Sequence, residues 1–311
     1  MRTSRRLTLG AIVLALLVGA CSTGGGSKPT LKIGTVKFDE AKIMAEVYAQ
    51  ALEAKGWTVN RDGYGLGDRA IVAPAIENGQ IDFQPEYIGS RLTYEKGTSG
   101  PDSQANFDAL KTKLTAKNLT LLNFTPAIDT NAFVVRTDTA TQFNLTKMSD
   151  LAAVQSQLKF GLANDCLTNA LCGAPGGALS QYGLTATTIA AATLLSACDV
   201  PMADALKNNT IDVAELCSTQ PDIIVNGWKV LEDDLHTQPA DNMAPIVRND
   251  YLSKLSAADQ ELFKKTLNDV DALIDTTTLA ELYKQVSVDH KDLADVARTW
   301  LQAKGFVPAA S

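Results

Sequence analysis

Apolar and polar positions along this chain alternate with period two in short runs, and with a helical period between them. That is the pattern of an α/β protein in which strands and helices take turns. Leu31 to Val36 reads as a first strand. Asp39 can then cap a helix whose apolar face carries Ile43, Met44, Val47 and Leu52 and which stops at Lys55-Gly56. Trp57 to Asn60 reads as a second strand. Gly63-Tyr64-Gly65-Leu66-Gly67-Asp68-Arg69 reads as a glycine-rich loop before the next helix, where backbone N–H groups can approach a ligand. Its glycine spacing is not the dinucleotide fingerprint.

The most informative stretch is Asn78-Gly79-Gln80-Ile81-Asp82-Phe83-Gln84-Pro85-Glu86-Tyr87-Ile88-Gly89. Asn-Gly is a turn after a helical run, and Ile81 and Phe83 open a short strand. Pro85 is expected to end that strand and to deliver Tyr87 just past its carboxyl end, the edge where open α/β sheets bind ligands. A gapless second copy runs from Ala205 to Cys217, against Ala75 to Tyr87. Asn-Asn replaces Asn-Gly, Ile-Asp-Val replaces Ile-Asp-Phe, and Cys217 stands where Tyr87 stood. Two similar lobes aiming strand ends at a shared cleft would produce this; so would the general likeness of helix–turn–strand units.

Leu121 to Phe124 and Asn131 to Arg136 read as strands on either side of Thr125 to Thr130, a segment suited to crossing between lobes. Leu158 to Ala163 is a strand of the second lobe. Past Pro239, Met243 to Arg248 is a last strand, and helices dominate thereafter. Ser256-Ala257-Ala258-Asp259 and Asp289-His290-Lys291-Asp292 resemble capping boxes. The chain is therefore expected to return to its first lobe, with residues 31–128 plus 240–311 in lobe 1, residues 129–239 in lobe 2, and the two crossings as a hinge.

The first 20 residues read as a leader rather than fold. Arg2, Arg5 and Arg6 precede an apolar run from Leu9 to Val18, too short to span a bilayer. The run closes on Leu17-Val18-Gly19-Ala20-Cys21, the pattern of a bacterial lipoprotein signal in which Cys21 is lipidated; a plain secretory signal is the alternative. Residues 21–30 read as a flexible tether. The localisation implied is the outer face of the cytoplasmic membrane or the periplasm, with a lipid anchor as the membrane attachment.

Length and composition alter this picture only at a few points. A chain of 311 residues has room for about two domains. Its net charge of −7 becomes −10 without the three leader arginines, which argues against nucleic acid as a partner. Two histidines, His236 and His290, make no metal pattern. Four cysteines remain beyond Cys21, which in an exported chain favours disulfides. Three pairings are open. Cys166–Cys172, closing a short loop, and Cys198–Cys217, stapling a helix start to the next strand, are preferred over a four-thiolate zinc site that lacks C-x2-C pairs. No nucleophile elbow, His-Glu-x-x-His or Ser-His-Asp set is present. An exported enzyme could rest only on a carboxylate pair drawn from Asp68, Asp82, Glu86 and Asp165. A structural or adhesive role lacks the repeats it needs.

The run from Ile33 to Gly89, with Lys37-Phe38-Asp39-Glu40, Gly65-Leu66-Gly67 and Pro85-Glu86-Tyr87-Ile88-Gly89, resembles the substrate-binding proteins of osmoprotectant ABC importers, the glycine betaine, carnitine and choline binders. Ala205 to Asp212, Ser218-Thr219, Val230 to Asp234, and Asn242 to Arg248 agree, so the likeness spans roughly residues 31 to 306. It implies a periplasmic-binding-protein-like fold of two α/β lobes with a hinge and a ligand cleft between them. It implies no enzyme activity and no cofactor, a small-molecule ligand, a membrane permease and ATPase as partners, and a monomer. In that family a quaternary ammonium head sits among aromatic rings. Tyr87 matches such a ring, and Phe38 and Asp39 match the loop beside it. Three positions depart: Cys217 replaces an aromatic, Asn131 a tyrosine, and Gln220 an acid. A disulfide-bonded Cys217 could not move aside for a bulky headgroup. The alternative ligand is a more polar or aromatic solute, held by Arg69, Asn131, Asp165, Ser218 and Thr219.

Overall fold

The computed structural model describes residues 28–309. The expected leader, Cys21 and most of the tether lie outside them. Residues 28–30 do not behave as tether. Lys28 Nζ lies 3.3 Å from an Asp259 carboxylate oxygen and 4.4 Å from the centre of the Trp57 ring, and the Pro29 carbonyl accepts from the Tyr251 hydroxyl at 3.0 Å.

Strands β1 (Leu31–Val36), β2 (Val59–Gly67), β3 (Phe83–Tyr87) and β4 (Leu119–Leu121) build one sheet. The chain then crosses to a second sheet, made of β5 (Asn131–Val135), β6 (Phe160–Ala163), β7 (Thr193–Leu195), β8 (Val213–Cys217) and β9 (Lys229–Val230). It returns with β10 (Met243–Arg248), which lies between β3 and β4. The spatial orders are β2-β1-β3-β10-β4 and β7-β6-β8-β5-β9. In each sheet four strands run in one direction, and the strand that follows a crossing, β10 or β5, runs antiparallel between two of them. Two lobes of one topology result.

The repeat seen in the sequence is reproduced atom for atom. Gln80 N and Thr210 N each donate at 2.9 Å to the carbonyl five residues back, closing turns at Gly79 (φ 77°) and Asn209 (φ 59°). Asp82 and Asp212 then each accept a backbone N–H from the neighbouring strand, Lys32 at 3.2 Å and Lys159 at 2.9 Å. An arginine stands beside each carboxylate, Arg248 at 4.0 Å and Arg136 at 2.7 Å. Helix, turn and strand are thus locked into one phase, and β3 and β8 end at corresponding residues, Tyr87 and Cys217.

Two expectations fail for identifiable reasons. Pro85 does not end its strand. It lies directly opposite Pro245 of β10, and two residues without N–H can share the antiparallel position that exchanges no hydrogen bonds. The glycine-rich stretch is not a loop but the second half of β2, an edge strand whose register slips at Gly63 and again at Gly67. A Cβ on Gly63 would stand 2.6 Å from the Ile33 carbonyl oxygen and 2.9 Å from the Gly34 Cα, so Gly63 serves strand-to-strand approach.

The first lobe buries helix Asp39–Glu53 against β1, β2 and the C-terminal helices. Within that core the Tyr48 hydroxyl donates to Asp271, whose other carboxylate oxygen has no partner. Burial pushes the Asp271 carboxyl well above its ordinary range, because the ionised form loses its water. The unfolded chain ionises this group near 3.9. Its contribution to stability is therefore full below about pH 4 and is lost as pH rises towards the folded value. Asp271→Asn keeps an acceptor for Tyr48 and has no charge to bury. Its stability relative to the parent is expected to rise with pH by up to about 1.4 kcal/mol per unit, read from urea unfolding at pH 4, 6 and 8.

Candidate functional site

Tyr87 and Cys217, the two corresponding strand ends, line one cleft of about 620 Å³ between the sheets. The first lobe contributes Phe38, Glu40, Arg69, Tyr87 and Ser90 to its wall, and the second Cys198, Cys217, Thr219 and Gln220. Asp129 and Asp241 come from the two crossing segments, which meet at an Ile128–Asn242 bridge, and Tyr283 from the helix Thr276–Ser287 in the returning part of the chain.

Of the residues singled out from sequence, the structure brings Phe38, Arg69, Tyr87 and Thr219 together here. Phe38 is the residue just before the helix, with extended backbone, so Asp39 is its first residue rather than its cap. Asp39 turns outward to Lys42 Nζ at 2.9 Å, and Glu40, one residue on, turns into the cleft. Asn131, Asp165 and Ser218 do not line it either. Asn131 begins β5 opposite Cys217. Asp165 is exposed and accepts from Asn169 at 3.2 Å. The Ser218 hydroxyl accepts from Thr130 N at 3.0 Å and donates to the Ile128 carbonyl at 2.8 Å, tying β8 to a crossing. The four carboxylates weighed for an enzyme also fail to converge: Asp68 pairs with Lys37, Asp82 ties strands, Glu86 binds Arg69 and Asp165 is on the surface. Both preferred cysteine pairings, Cys166–Cys172 and Cys198–Cys217, are present as disulfides, so the thiolates that a zinc site requires are consumed.

The cleft is rich in carboxylates held away from water. Asp241 accepts backbone N–H groups from Gly89 at 2.7 Å and Ser90 at 3.0 Å. A Cβ on Gly89 would come within 3.1 Å of the Asp241 oxygen, which accounts for glycine after Tyr87-Ile88. Thr219 Oγ1 lies 2.8 Å from Glu40 Oε2 and 2.9 Å from Asp129 Oδ1, joining the two lobes to a crossing. Burial, with Asp129 beside it, pushes the Glu40 carboxyl up to about 8; burial, against the Thr219 hydrogen bond, brings Asp129 to about 6. A hydroxyl has one proton to give, so one carboxyl must give it another. Burial raises both carboxyls, so the pair with Thr219 between them holds one shared carboxyl proton. Burial and the same carboxylates raise the Tyr87 phenol well above its ordinary value, so it remains a neutral ring. The Tyr283 phenol is pushed up to about 12 by burial first and by Glu40 second.

Sequence reading missed Glu40, Ser90, Asp129, Asp241 and Tyr283. Asp129 carried a legible signal, since it sits inside the segment read as a crossing.

Two α/β lobes of matched topology, joined by two crossings and closing on an aromatic and acidic cleft, define the class of solute-binding receptors. The chain belongs to the family described as the substrate binding domain of ABC-type glycine betaine transport systems, which it matches over residues 29–303. It is 28% identical over 298 residues to the glycine betaine-binding protein YehZ of Escherichia coli K12, covering 89% of this chain and 91% of that one. It is 26% identical to the carnitine transport binding protein OpuCC of Listeria monocytogenes strain 10403S, covering 94% and 93%. Its fold matches the crystal structure of a glycine betaine/carnitine/choline ABC transporter protein with a TM-score of 0.78 at 23% identity, over 89% of this chain and 99% of that one.

Proposed function

We propose that this receptor captures a quaternary ammonium osmoprotectant outside the cytoplasm and passes it to its permease and ATPase unchanged. The supporting observation is the company kept by the cleft: the rings of Phe38, Tyr87 and Tyr283 share it with the carboxylates of Asp129 and Asp241. A cation that cannot donate hydrogen bonds is held by ring faces and by nearby negative charge, and burial of both strengthens the attraction. Tyr283 supplies a ring on a wall where the sequence suggested none, while the disulfide at Cys217 replaces one across the gap. Residues 31–128 and 240–311 form one moving body and 129–239 the other, with the paired crossings as hinge. The receptor works as a monomer, tethered to the membrane by a lipid on Cys21.

Thermal unfolding with glycine betaine, choline, carnitine and proline tests this. A ligand at about 100 times its dissociation constant is expected to add about 2.7 kcal/mol, a shift of several degrees, and proline is expected to add nothing. If none of the three quaternary compounds moves the midpoint, the osmoprotectant reading is wrong.

A further inference from the structure

Among the described residues Arg69 is the single basic one on the cleft wall, and its guanidinium is engaged. It makes two hydrogen bonds at 3.1 and 2.9 Å to Oε1 of the enclosed Glu86. Among the described residues, no lysine or arginine comes within 4 Å of the carboxylates of Glu40, Asp129 or Asp241. A ligand carboxylate would meet that negative wall without a free cation to receive it. Three of the other side-chain donors are spent as well, while the Tyr87 phenol stands beside Glu40 and the Tyr283 phenol remains on the wall. Ser90 serves Asp241, Thr219 serves the acid pair, and Gln220 Nε2 donates to Asp222 at 3.0 Å.

The acceptors are not spent. Glu40 Oε1 and Gln220 Oε1 are buried without a hydrogen-bond partner, and both residues face the cleft. Only 4% of Glu40 and 6% of Gln220 is exposed. Two orientations are fixed by their neighbours. The Gln220 nitrogen must face the Asp222 carboxylate, so its oxygen faces away from it. Glu40 meets Thr219 through Oε2, so Oε1 stays an acceptor whichever acid of the pair holds the shared proton. A buried acceptor without a donor is costly, and a ligand bearing O–H or N–H removes that cost on binding.

Resting on the receptor reading above, we propose that the cleft selects an organic cation that carries a hydrogen-bond donor and no carboxylate, the chemistry of a choline-like amino alcohol, over zwitterionic betaines. The rings and acids take the cationic head, and the donor satisfies Glu40 Oε1 or Gln220 Oε1. Selection against the zwitterion comes from its carboxylate and from the vacant acceptors together.

Calorimetric titration of the mature chain with four probes separates the two features. Choline has the cation and the donor; tetramethylammonium has the cation alone. Carnitine adds a carboxylate to a hydroxyl-bearing cation, and glycine betaine has a carboxylate and no donor. Choline is expected to bind about tenfold or more tighter than each of the other three. In Glu40→Ala and Gln220→Leu, the ratio of choline to tetramethylammonium affinity is expected to fall towards one in at least one variant. This ratio is insensitive to a general loss of cleft shape. If a variant does not fold, the order of the four probes on the parent chain decides. Glycine betaine binding as tightly as choline overturns the selectivity and leaves the receptor reading intact. Absence of binding by all four overturns both.

Discussion

Replacing Tyr87 with leucine is expected to weaken binding of a quaternary ammonium ligand by about tenfold to thirtyfold, whereas Tyr87→Phe stays within about threefold. The ring ends β3 at the cleft wall, only 6% exposed. A desolvated cation–ring contact is worth up to about 2 kcal/mol, and each ~1.4 kcal/mol is a decade of affinity. The phenylalanine variant keeps the ring face and most of the packing volume, so it separates loss of the ring from loss of the hydroxyl beside Glu40. Calorimetry on both variants, at equal folded fraction, reads the difference. Equal affinities for the leucine and parent chains would remove Tyr87 from the binding wall.

The largest effect on stability is expected at Arg91. Its guanidinium is fully enclosed, 2.9 Å from Glu77, 3.0 Å from Glu95 and 3.9 Å from Glu86. Arg91→Leu removes the one fully enclosed counter-charge of this acid cluster, leaving Glu86 to Arg69 and Glu95 to the part-exposed Lys117. Breaking one side of such a network costs about 3–5 kcal/mol. Lys117 touches two of the same acids, Glu77 at 2.9 Å and Glu95 at 2.7 Å, from a site about one-third exposed. There Lys117→Leu is expected to cost no more than about 1 kcal/mol, since solvent screens the charge left behind. Denaturant midpoints of the two variants at neutral pH give the comparison; similar losses would mean that enclosure does not set the value of these pairs. Because Glu86 also anchors Arg69, the Arg91 variant should bind ligand more weakly as well.

The fold was legible where local rules and long-range pairing agree. The short unit that recurs 130 residues on could be read because turn, aspartate and strand come together in it, and its two copies occupy corresponding positions in the sheets. The glycine-rich stretch was misread because edge-strand slips depend on the partner strand, which a local reading does not contain. Pro85 was misread for the same reason, since Pro245 lies 160 residues on and makes its place in a strand harmless. In the site, the choice between Asp39 and Glu40 turned on one residue of helix phase. Adjacent helical side chains point about 100° apart, and the phase was set by Phe38 as the residue before the helix. Asp241 lies in the second crossing and Tyr283 beyond it, and no spacing in the sequence links them to Tyr87.

The cystine at Cys198–Cys217 has a consequence for the two halves of the wall. Opposite the Tyr87 ring that ends β3 stands a covalent strap with no rotamer to choose. It also pins Ala197 and Asp199, which line the same side. One half of the mouth is therefore set before the guest enters, and the loss of side-chain freedom on closing falls on the other half.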